Sequence, residues 1–164
     1  MAEKKILVIS DDHGNVGTIL QVIEKESPID ILVHCGDSQE DLYSFLDDGS
    51  FTLIAVRGNM DYYPYSELMV LDVGKCTLMA CHGHKLGVKY TNENLILSAM
   101  EHKADIVLFG HTHMSEEFFH GRTLFFNPGS IAYPKSGGKG TYGIIYMDEE
   151  GGHYRTKIKT MDQE

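Results

Sequence analysis

The first half of the chain alternates continuous apolar runs with stretches in which apolar residues recur every three to four positions. The segment "KKILVIS" (4–10) is continuously apolar after its lysines, which is typical of a strand that is covered on both faces. The next apolar residues have the i, i+3, i+4, i+7 spacing of an amphipathic helix: Val16, Ile19, Leu20 and Ile23. Pro28 is expected to stop this helix.

The alternation continues to about residue 58. "DILVHCG" (30–36) and "FTLIAVRG" (51–58) predict two more strands, and residues 40–46 predict a short helix between them. Because each strand is followed by a helix, this half of the chain predicts βαβ units and a parallel sheet.

The second half is richer in hairpin patterns. Residues 66–83 predict a hairpin that turns at Gly74-Lys75, and residues 116–130 predict another at His120-Gly121. Between them we expect a helix over about 92–102, capped by Thr91 or Asn92, and a buried strand "DIVLFG" (105–110). The last two strands, "TYGIIYMD" and "HYRTKIK", are expected to pair across "EEGG".

These elements predict an α/β fold, a layered α/β/β/α sandwich of two mixed sheets flanked by helices. The length of 164 residues predicts one domain over 1–164. The order of the strands within each sheet is not predicted.

Composition narrows the classes of function. With 14 Lys and Arg against 24 Asp and Glu, the net charge is −10, which argues against tight binding to long nucleic acids. A small phosphate ester remains compatible, because bound divalent cations would reverse the local charge. No apolar run approaches the roughly 18 residues that a membrane span needs. The N-terminus shows no cleavable signal, and the three cysteines lie in apolar runs without CxxC spacing, so we expect reduced thiols and a cytoplasmic protein.

Polar side chains follow five of the predicted strands at the point where each strand ends. In chain order they are Asp11 and His13, Asp37, Asn59 and Asp61, His82 and His84, and His111 and His113. The carboxyl ends of parallel strands share one edge of a sheet, so these groups are expected to converge there. Imidazoles and carboxylates packed together are costly to bury unless a cation accepts their lone pairs. Seven oxygen and nitrogen ligands suit two ions about 3.5–4 Å apart, the arrangement used for hydrolysis at phosphorus.

The motifs D-x-H, G-D, G-N-x-D, H-G-H and G-H-T-H occur in this order and are followed by "NPGS" (127–130). This series resembles the calcineurin-like metallophosphoesterase superfamily, and the short length resembles its small bacterial and archaeal phosphodiesterase branch. The resemblance implies one ion on Asp11, His13 and His113, a second on Asn59, His82 and His111, and Asp37 as the bridge between them. His84 and Asp61 would orient these ligands or contact phosphate oxygens, so that Asn59, His84 and Asp61 form the expected catalytic set.

The activity that the resemblance implies is hydrolysis of a small phosphate diester by in-line attack of a metal-bridging hydroxide. Two divalent transition-metal ions are expected, with manganese as the working assignment and iron, zinc, nickel or cobalt as alternatives, because mixed nitrogen and oxygen ligands suit these metals. Two other functions remain open: a phosphomonoesterase, and a protein-binding scaffold similar to the retromer subunit of the same fold. That subunit has an impaired metal site, whereas all seven expected ligands are present in this sequence. The resemblance also allows for a homodimer.

Two positions depart from the pattern of larger relatives. Met60 stands in "GNMD", where protein phosphatases and repair nucleases have a histidine thought to protonate the leaving group. Lys135 stands where relatives often have arginine; it offers a charge to phosphate or is a surface lysine.

Other polar and aromatic residues are assigned structural or surface positions. Asp61 also fits a routine turn, and "DYYPYSE" (61–67) is expected to be an ordered loop. Asp12 is predicted to face solvent. Structural or surface positions are predicted for His34, His102, His120 and His153.

Overall fold

The computed structural model describes residues 3–150 and 152–162. Its strands are β1 (Glu3–Ile9), β2 (Ile31–His34), β3 (Thr52–Ala55), β4 (Leu68–Val73), β5 (Cys76–Cys81), β6 (Ile106–Leu108), β7 (Ser115–His120), β8 (Thr123–Pro128), β9 (Thr141–Asp148) and β10 (Tyr154–Thr160). Its α-helices are α1 (Val16–Glu26), α2 (Leu42–Leu46) and α3 (Glu93–Glu101), and a short 3-10 helix spans His84–Leu86.

The strands form two five-stranded sheets, and both sheets are mixed. The first has the order β10-β9-β1-β2-β3, in which β1, β2 and β3 are parallel and β9 and β10 are antiparallel to their neighbours. The second has the order β4-β5-β6-β8-β7, in which β5, β6 and β8 are parallel and β4 and β7 are antiparallel edges. The predicted class, two mixed sheets with flanking helices, is therefore confirmed.

Each sheet is buried on two faces, which explains the continuous apolar runs. Ile6 and Val8 of β1 pack against residues of the second sheet such as Ile106, whereas Leu7 and Ile9 pack under α1. On the outer face of the second sheet, α3 covers β5 and β6 with Leu95 and other apolar residues. The layers therefore run helix, sheet, sheet, helix, as expected from strands without polar alternation.

The ends of the elements differ slightly from the predicted ones. The first hairpin turns at Gly74-Lys75 as predicted, but the second turns at Gly121-Arg122, one residue later, because β7 continues through His120. Gly121 has a φ of +61°, a left-handed conformation that favours glycine at this tight turn. Asn92 occupies the N-cap position of α3, yet its side chain makes no capping hydrogen bond.

Parallel strands of both sheets deliver their carboxyl ends to the same side of the molecule. The loops after β1, β2 and β3 come from the first sheet, and those after β5 and β6 come from the second. Across residues 3–150 and 152–162, no helix is long and apolar enough to cross a membrane.

Candidate metal centre

The side chains predicted from the strand ends lie together in two adjacent groups. In the first, Asp11 Oδ1 lies 3.3 Å from His113 Nε2 and 3.8 Å from His13 Nε2. The two Nε2 atoms of His13 and His113 are 3.2 Å apart. The three ligand atoms lie within 4.8 Å of one another, a separation that one cation could span.

The second group is formed by Asp37, His82 and His111. His82 Nε2 lies 3.2 Å from Asp37 Oδ2, 3.2 Å from His111 Nδ1 and 3.1 Å from Asn59 Oδ1. Asp37 Oδ2 also lies 3.9 Å from His13 Nε2 in the first group. This carboxylate therefore stands between the groups, where a bridging ligand would have to be.

Hydrogen bonds on the far side of three imidazoles turn their Nε2 atoms inward. The Nδ1–H groups donate to carbonyl oxygens: His82 to Cys35 O at 2.7 Å, His113 to Tyr133 O at 2.8 Å, and His13 to the side-chain oxygen of Gln39 at 3.0 Å. Because a carbonyl can only accept, each Nδ1 carries a proton, and in the neutral ring each Nε2 keeps a free lone pair. Partners of this kind are typical of histidines that bind metal ions.

The donor set fits a pair of divalent cations. His13 and His113 both use Nδ1–H elsewhere, so a neutral ring has no proton to place between their facing Nε2 atoms. Asp11 Oδ1 is fully buried and has no hydrogen-bond partner among the described residues. Converging lone pairs and an unpartnered buried carboxylate oxygen are unfavourable alone, and a cation would satisfy both.

Charge interactions keep the carboxylates ionised. Burial raises the pKa of Asp37, but the hydrogen bond and charge of His82 outweigh it and set the pKa at about 2. Burial also opposes ionisation of Asp11, whose pKa is nevertheless lowered, chiefly by the neighbouring His113 imidazole. Burial and the neighbouring His82 lower the pKa of His111 to about 4. At neutral pH the centre therefore offers two carboxylates and a neutral His111. Asp11 and Asp37 in turn raise the pKa of His82 against its burial, and Asp11 raises that of His113, so a cation would have to displace protons from these rings.

The backbone of the centre is strained. Five of the seven expected ligands have left-handed φ values between 47° and 72°: Asp11, His13, Asp37, His111 and His113. Residues other than glycine rarely adopt this conformation, and each costs of the order of 1–3 kcal/mol. Such strain persists where surrounding contacts hold it, and it concentrates at functional sites.

Glycines beside the ligands allow close packing. A Cβ atom on Gly58 would lie 2.1 Å from Asp37 Oδ1, and one on Gly110 would lie 2.2 Å from Ser10 Oγ and 2.8 Å from Asp11 Oδ2. The G-N-x-D and G-H-T-H motifs therefore contain glycine because the carboxylates occupy the space of a side chain.

The expected catalytic residues occupy three different positions. Asn59 is exposed, with its amide oxygen directed at His82. His84 opens the 3-10 helix, half-buried, with its ring 5.3 Å from that of His82. Asp61 is buried, and both its oxygens accept backbone N–H groups, from Gly58 and Asp37 on Oδ2 and from Gln39 on Oδ1. Its carboxylate thus ties together the loops that carry Asn59 and Asp37.

The "NPGS" segment supports the centre in a way that the sequence did not reveal. Asn127 is buried and its Nδ2 donates to Gly110 O at 3.2 Å and to Thr112 Oγ1 at 3.1 Å, which holds the loop of His111 and His113. Ser130 Oγ donates to the carbonyl of Asp11 at 2.7 Å. The "NPGS" motif can be recognised in the sequence. Its position after the histidine pair His111 and His113 is the signal that could have suggested that it supports their loop.

The prediction that Asp12 faces solvent is wrong. Asp12 is fully buried, and its Oδ1 accepts a hydrogen bond of 2.7 Å from Nε2 of His34, which is also buried. Gly36 N–H donates to the other ring nitrogen of His34. The left-handed turn at Asp11 directs the next side chain back into the molecule, and this turn could not be seen in the residue pattern. His34 occupies a structural position, one of the two that the sequence allowed.

The remaining polar and aromatic residues lie close to the positions expected for them. His102 Nδ1 bonds to Ser98 O, and His120 and His153 are exposed. In the tyrosine-rich loop, Tyr65 OH donates to Glu40 O and accepts from Leu42 N–H, so the loop is ordered by its own contacts.

The fold and this constellation define a class of protein: a two-sheet α/β sandwich that gathers nitrogen and oxygen ligands for divalent cations where the two sheets meet. Residues 5–150 match the Calcineurin-like phosphoesterase superfamily domain, and the chain belongs to this family. Membership supports a metal-dependent hydrolase of phosphate esters.

Relatives agree with this assignment. The chain is 34% identical over 150 residues to "Probable metallophosphoesterase YsnB" of Bacillus subtilis, a match that covers 88% of this chain and 85% of the relative. It is 28% identical over 171 residues to "Phosphodiesterase YfcE" of Escherichia coli K12, with 88% of each chain covered. A crystal structure of a predicted phosphoesterase from Streptococcus pneumoniae is similar with a TM-score of 0.87 and 32% identity, covering 100% of this chain and 93% of that one.

Proposed function

We propose that the protein is a binuclear-metal-dependent phosphodiesterase that hydrolyses a small phosphate diester. The observation that carries this proposal is the pair of three-residue groups that share a boundary at Asp37, with Asp11, His13 and His113 on one side and His82 and His111 on the other. When bound, two divalent cations would supply an ionised water near neutral pH and would neutralise charge on the phosphoryl oxygens. The diester preference draws on the name of the Escherichia coli relative.

The protein's own residues would hold the cations and orient the phosphoryl group of the substrate. Asp37 and the inward Nε2 atoms would hold the cations, and Asp61 fixes the loops that present Asp37 and Asn59. Asn59, exposed beside the second group, can donate its amide N–H to a phosphoryl oxygen. The mixed imidazole and carboxylate ligands suit manganese, iron, zinc, nickel or cobalt, and among these we propose manganese because the family resemblance implies it.

His84 is suited to orient the phosphoryl group more than to protonate a leaving group. Burial, together with the charge of His82, lowers its pKa, so its imidazole is neutral at pH 7. A neutral imidazole can donate a hydrogen bond, but it is a weak general acid. Met60 is exposed next to Asn59 and offers no proton either. Esters with good leaving groups, such as aryl esters, should therefore be the best substrates.

The deciding experiment is hydrolysis of bis(p-nitrophenyl) phosphate by metal-free protein reloaded with manganese. We expect turnover in the wild type and a loss of at least about 100-fold in Asp37→Asn, which removes the charge between the two groups. Asp47→Asn is the matched control, because Asp47 is an exposed carboxylate at the C-terminal end of α2 and is not one of the seven expected ligands. Equal activity of Asp37→Asn and the wild type would refute the proposed centre.

Two alternatives are tested by the same preparation. Faster hydrolysis of p-nitrophenyl phosphate than of the diester would indicate a phosphomonoesterase. No turnover of either ester despite bound manganese, nickel, cobalt or zinc would favour a protein-binding scaffold.

The three cysteines, all free and buried, support the further proposal that the protein works in a reducing compartment such as the cytoplasm.

A further inference from the structure

A cavity of about 260 Å³ opens beside the loop that carries His111 and His113. Thr112, which lies between these two histidines, forms part of its wall, and so does Met114. The rest of the wall comes from the segment that leads into α3, from Glu116 of β7 and from Lys135. The cavity therefore adjoins the candidate metal centre without containing any of its seven expected ligands.

The cavity is positively charged in a protein whose net charge is −10. Lys89 and Lys135 line it, and within residues 3–150 and 152–162 neither lysine forms an ion pair with a carboxylate. Two unpaired ammonium groups beside a phosphoester-binding centre are suited to a second anionic group.

The N-terminal end of α3 points to the same kind of ligand. Thr91 and Asn92 line the cavity immediately before the helix begins at Glu93. Asn92 makes no side-chain capping hydrogen bond, whereas Thr91 Oγ1 accepts the Glu93 N–H at 3.3 Å and leaves the later N–H groups of the first turn uncapped by these two residues. The first N–H groups of a helix carry a partial positive charge and favour anions. Two carboxylates oppose this: Glu93 in the first turn of α3, and Glu116 in the cavity wall, whose pKa is raised by burial.

Apolar side chains provide a wall for a ring. Tyr90 is 92% exposed and Met114 is 49% exposed, and both line the cavity. An exposed aromatic ring next to cationic groups is a common surface for stacking a nucleobase whose phosphate is held nearby. A volume of about 260 Å³ is somewhat below that of a whole drug-sized ligand site, so it suits one part of a substrate.

We propose that this cavity binds the nucleoside portion of a substrate that bears a phosphate group in addition to the scissile diester. Lys89 and Lys135 would bind the additional phosphate, and Tyr90 and Met114 would contact the base. The inference rests on the proposed function, because it assigns the substrate class of the same centre.

The test compares thymidine 3′,5′-bisphosphate with thymidine 5′-monophosphate, which differ by one phosphate. Their dissociation constants are measured by isothermal titration calorimetry, with metal-free and with manganese-loaded protein. We expect the wild type to bind the bisphosphate at least about tenfold more tightly, as charge-assisted hydrogen bonds to one phosphate would give. In the double variant Lys89→Gln, Lys135→Gln this preference should fall below about threefold.

Lys75→Gln is the matched control, because Lys75 lies in the β4–β5 turn, away from the strand ends that form the centre. It should keep the full preference. Equal affinities in the wild type, or a preference that survives the double substitution, would overturn the cavity's assignment. Hydrolysis of bis(p-nitrophenyl) phosphate in the same preparations separates the two proposals: turnover without the preference refutes only the cavity, and the preference without turnover refutes only the phosphodiesterase.

Discussion

At the scale of single residues, the centre depends on small groups that leave room for ligands. Gly58 lies against Asp37, whose N–H and carboxylate are both held by the loop of Gly58 to Asp61. Met60 N–H donates to Asp37 Oδ1 at 2.8 Å, which leaves Oδ2 to face the histidines. A methyl group at position 58 would have to displace this carboxylate.

Gly58→Ala should therefore reduce metal binding and activity without unfolding the protein. The added Cβ would meet Asp37 Oδ1 at 2.1 Å and Asp37 N at 2.5 Å. A displacement of about 1 Å in a catalytic group can cost roughly 100-fold in rate, so we expect a loss of at least tenfold in kcat/KM for bis(p-nitrophenyl) phosphate. Manganese bound per protein, measured by atomic absorption after gel filtration, should fall as well.

Gly17→Ala is the control for this change. Gly17 lies in the first turn of α1, and the nearest atom to an added Cβ is 3.9 Å away. Alanine should stabilise the helix slightly, by about 0.5–1 kcal/mol, and leave metal binding unchanged. Full metal occupancy and full activity in Gly58→Ala would show that Asp37 tolerates displacement.

At the level of single residues, the sequence predicted which side chains gather at the centre better than it predicted where each side chain points. Asp11, His13 and the other strand-end groups could be predicted to converge, because the edge of a parallel sheet gathers them whatever the loop conformation. The burial of Asp12 could not be predicted, because it follows from the left-handed φ of Asp11. Loop dihedrals of this kind are set by tertiary contacts, which residue types in one segment do not encode.

At the scale of elements, one buried carboxylate fastens α1 to the first sheet. Glu26, the last residue of α1, accepts hydrogen bonds from Tyr142 of β9 at 2.6 Å, from Lys159 of β10 at 3.1 Å and from Lys5 of β1 at 3.2 Å. Burial raises the pKa of Glu26, but these three donors together lower it below its ordinary value of 4.5.

Glu26→Gln should destabilise the protein at pH 7, and the difference from the wild type should shrink in acid. Because the folded pKa is below the unfolded one, the carboxylate contributes fully above pH 4.5 and its contribution is lost as the pH falls through the folded value. Removing the charge from beside two lysines should cost roughly 1–3 kcal/mol at pH 7. Urea unfolding at pH 7, 5, 4 and 3 would measure the difference.

The exposed Glu24 of the same helix provides the control. Glu24→Gln should change the free energy of unfolding by less than about 0.5 kcal/mol at every pH. The free energies of unfolding of Glu26→Gln and the wild type could instead differ by as much at pH 3 as at pH 7. That result would mean that packing and neutral hydrogen bonds, and not the charge of Glu26, hold α1 on the sheet.

The elements themselves were largely predictable, since their signals are local. The continuous run of β1, the spacing in α1 and the Gly74-Lys75 turn each follow from a few neighbouring residues. The short 3-10 helix at His84–Leu86 was not predicted, and α2 begins two residues later than expected. Both lie in loops beside the centre, where contacts with other segments decide the backbone.

At the scale of the whole molecule, the strand order is the feature that the sequence did not predict. The chain returns from β8 in the second sheet to place β9 beside β1 in the first, and β6 inserts between β5 and β8. These pairings join segments that are far apart in sequence, so no local pattern reports them. The consequence is that loops from both sheets meet, and that the ligands of each three-residue group come from both sheets.

Cation binding should therefore stabilise the entire fold and not only its loops. Asp11 and His13 follow β1 of the first sheet, whereas His113 follows β6 of the second, so an ion held by all three joins the sheets. A ligand present at 100 times its dissociation constant adds about 2.7 kcal/mol to the free energy of unfolding. For a chain of this size that corresponds to a rise of roughly 5–10 °C in Tm.

Differential scanning calorimetry with manganese, and then with excess EDTA, would measure this rise and its reversal. Asp37→Asn should show less than half of the wild-type rise, while the control Asp47→Asn should show all of it. Left-handed strain at five of the expected ligand residues makes this outcome informative, because either the surrounding protein contacts or bonds to a cation must offset it. A Tm that does not respond to manganese in the wild type would mean that the two sheets already hold these loops without a metal, and that the strained residues serve the fold alone.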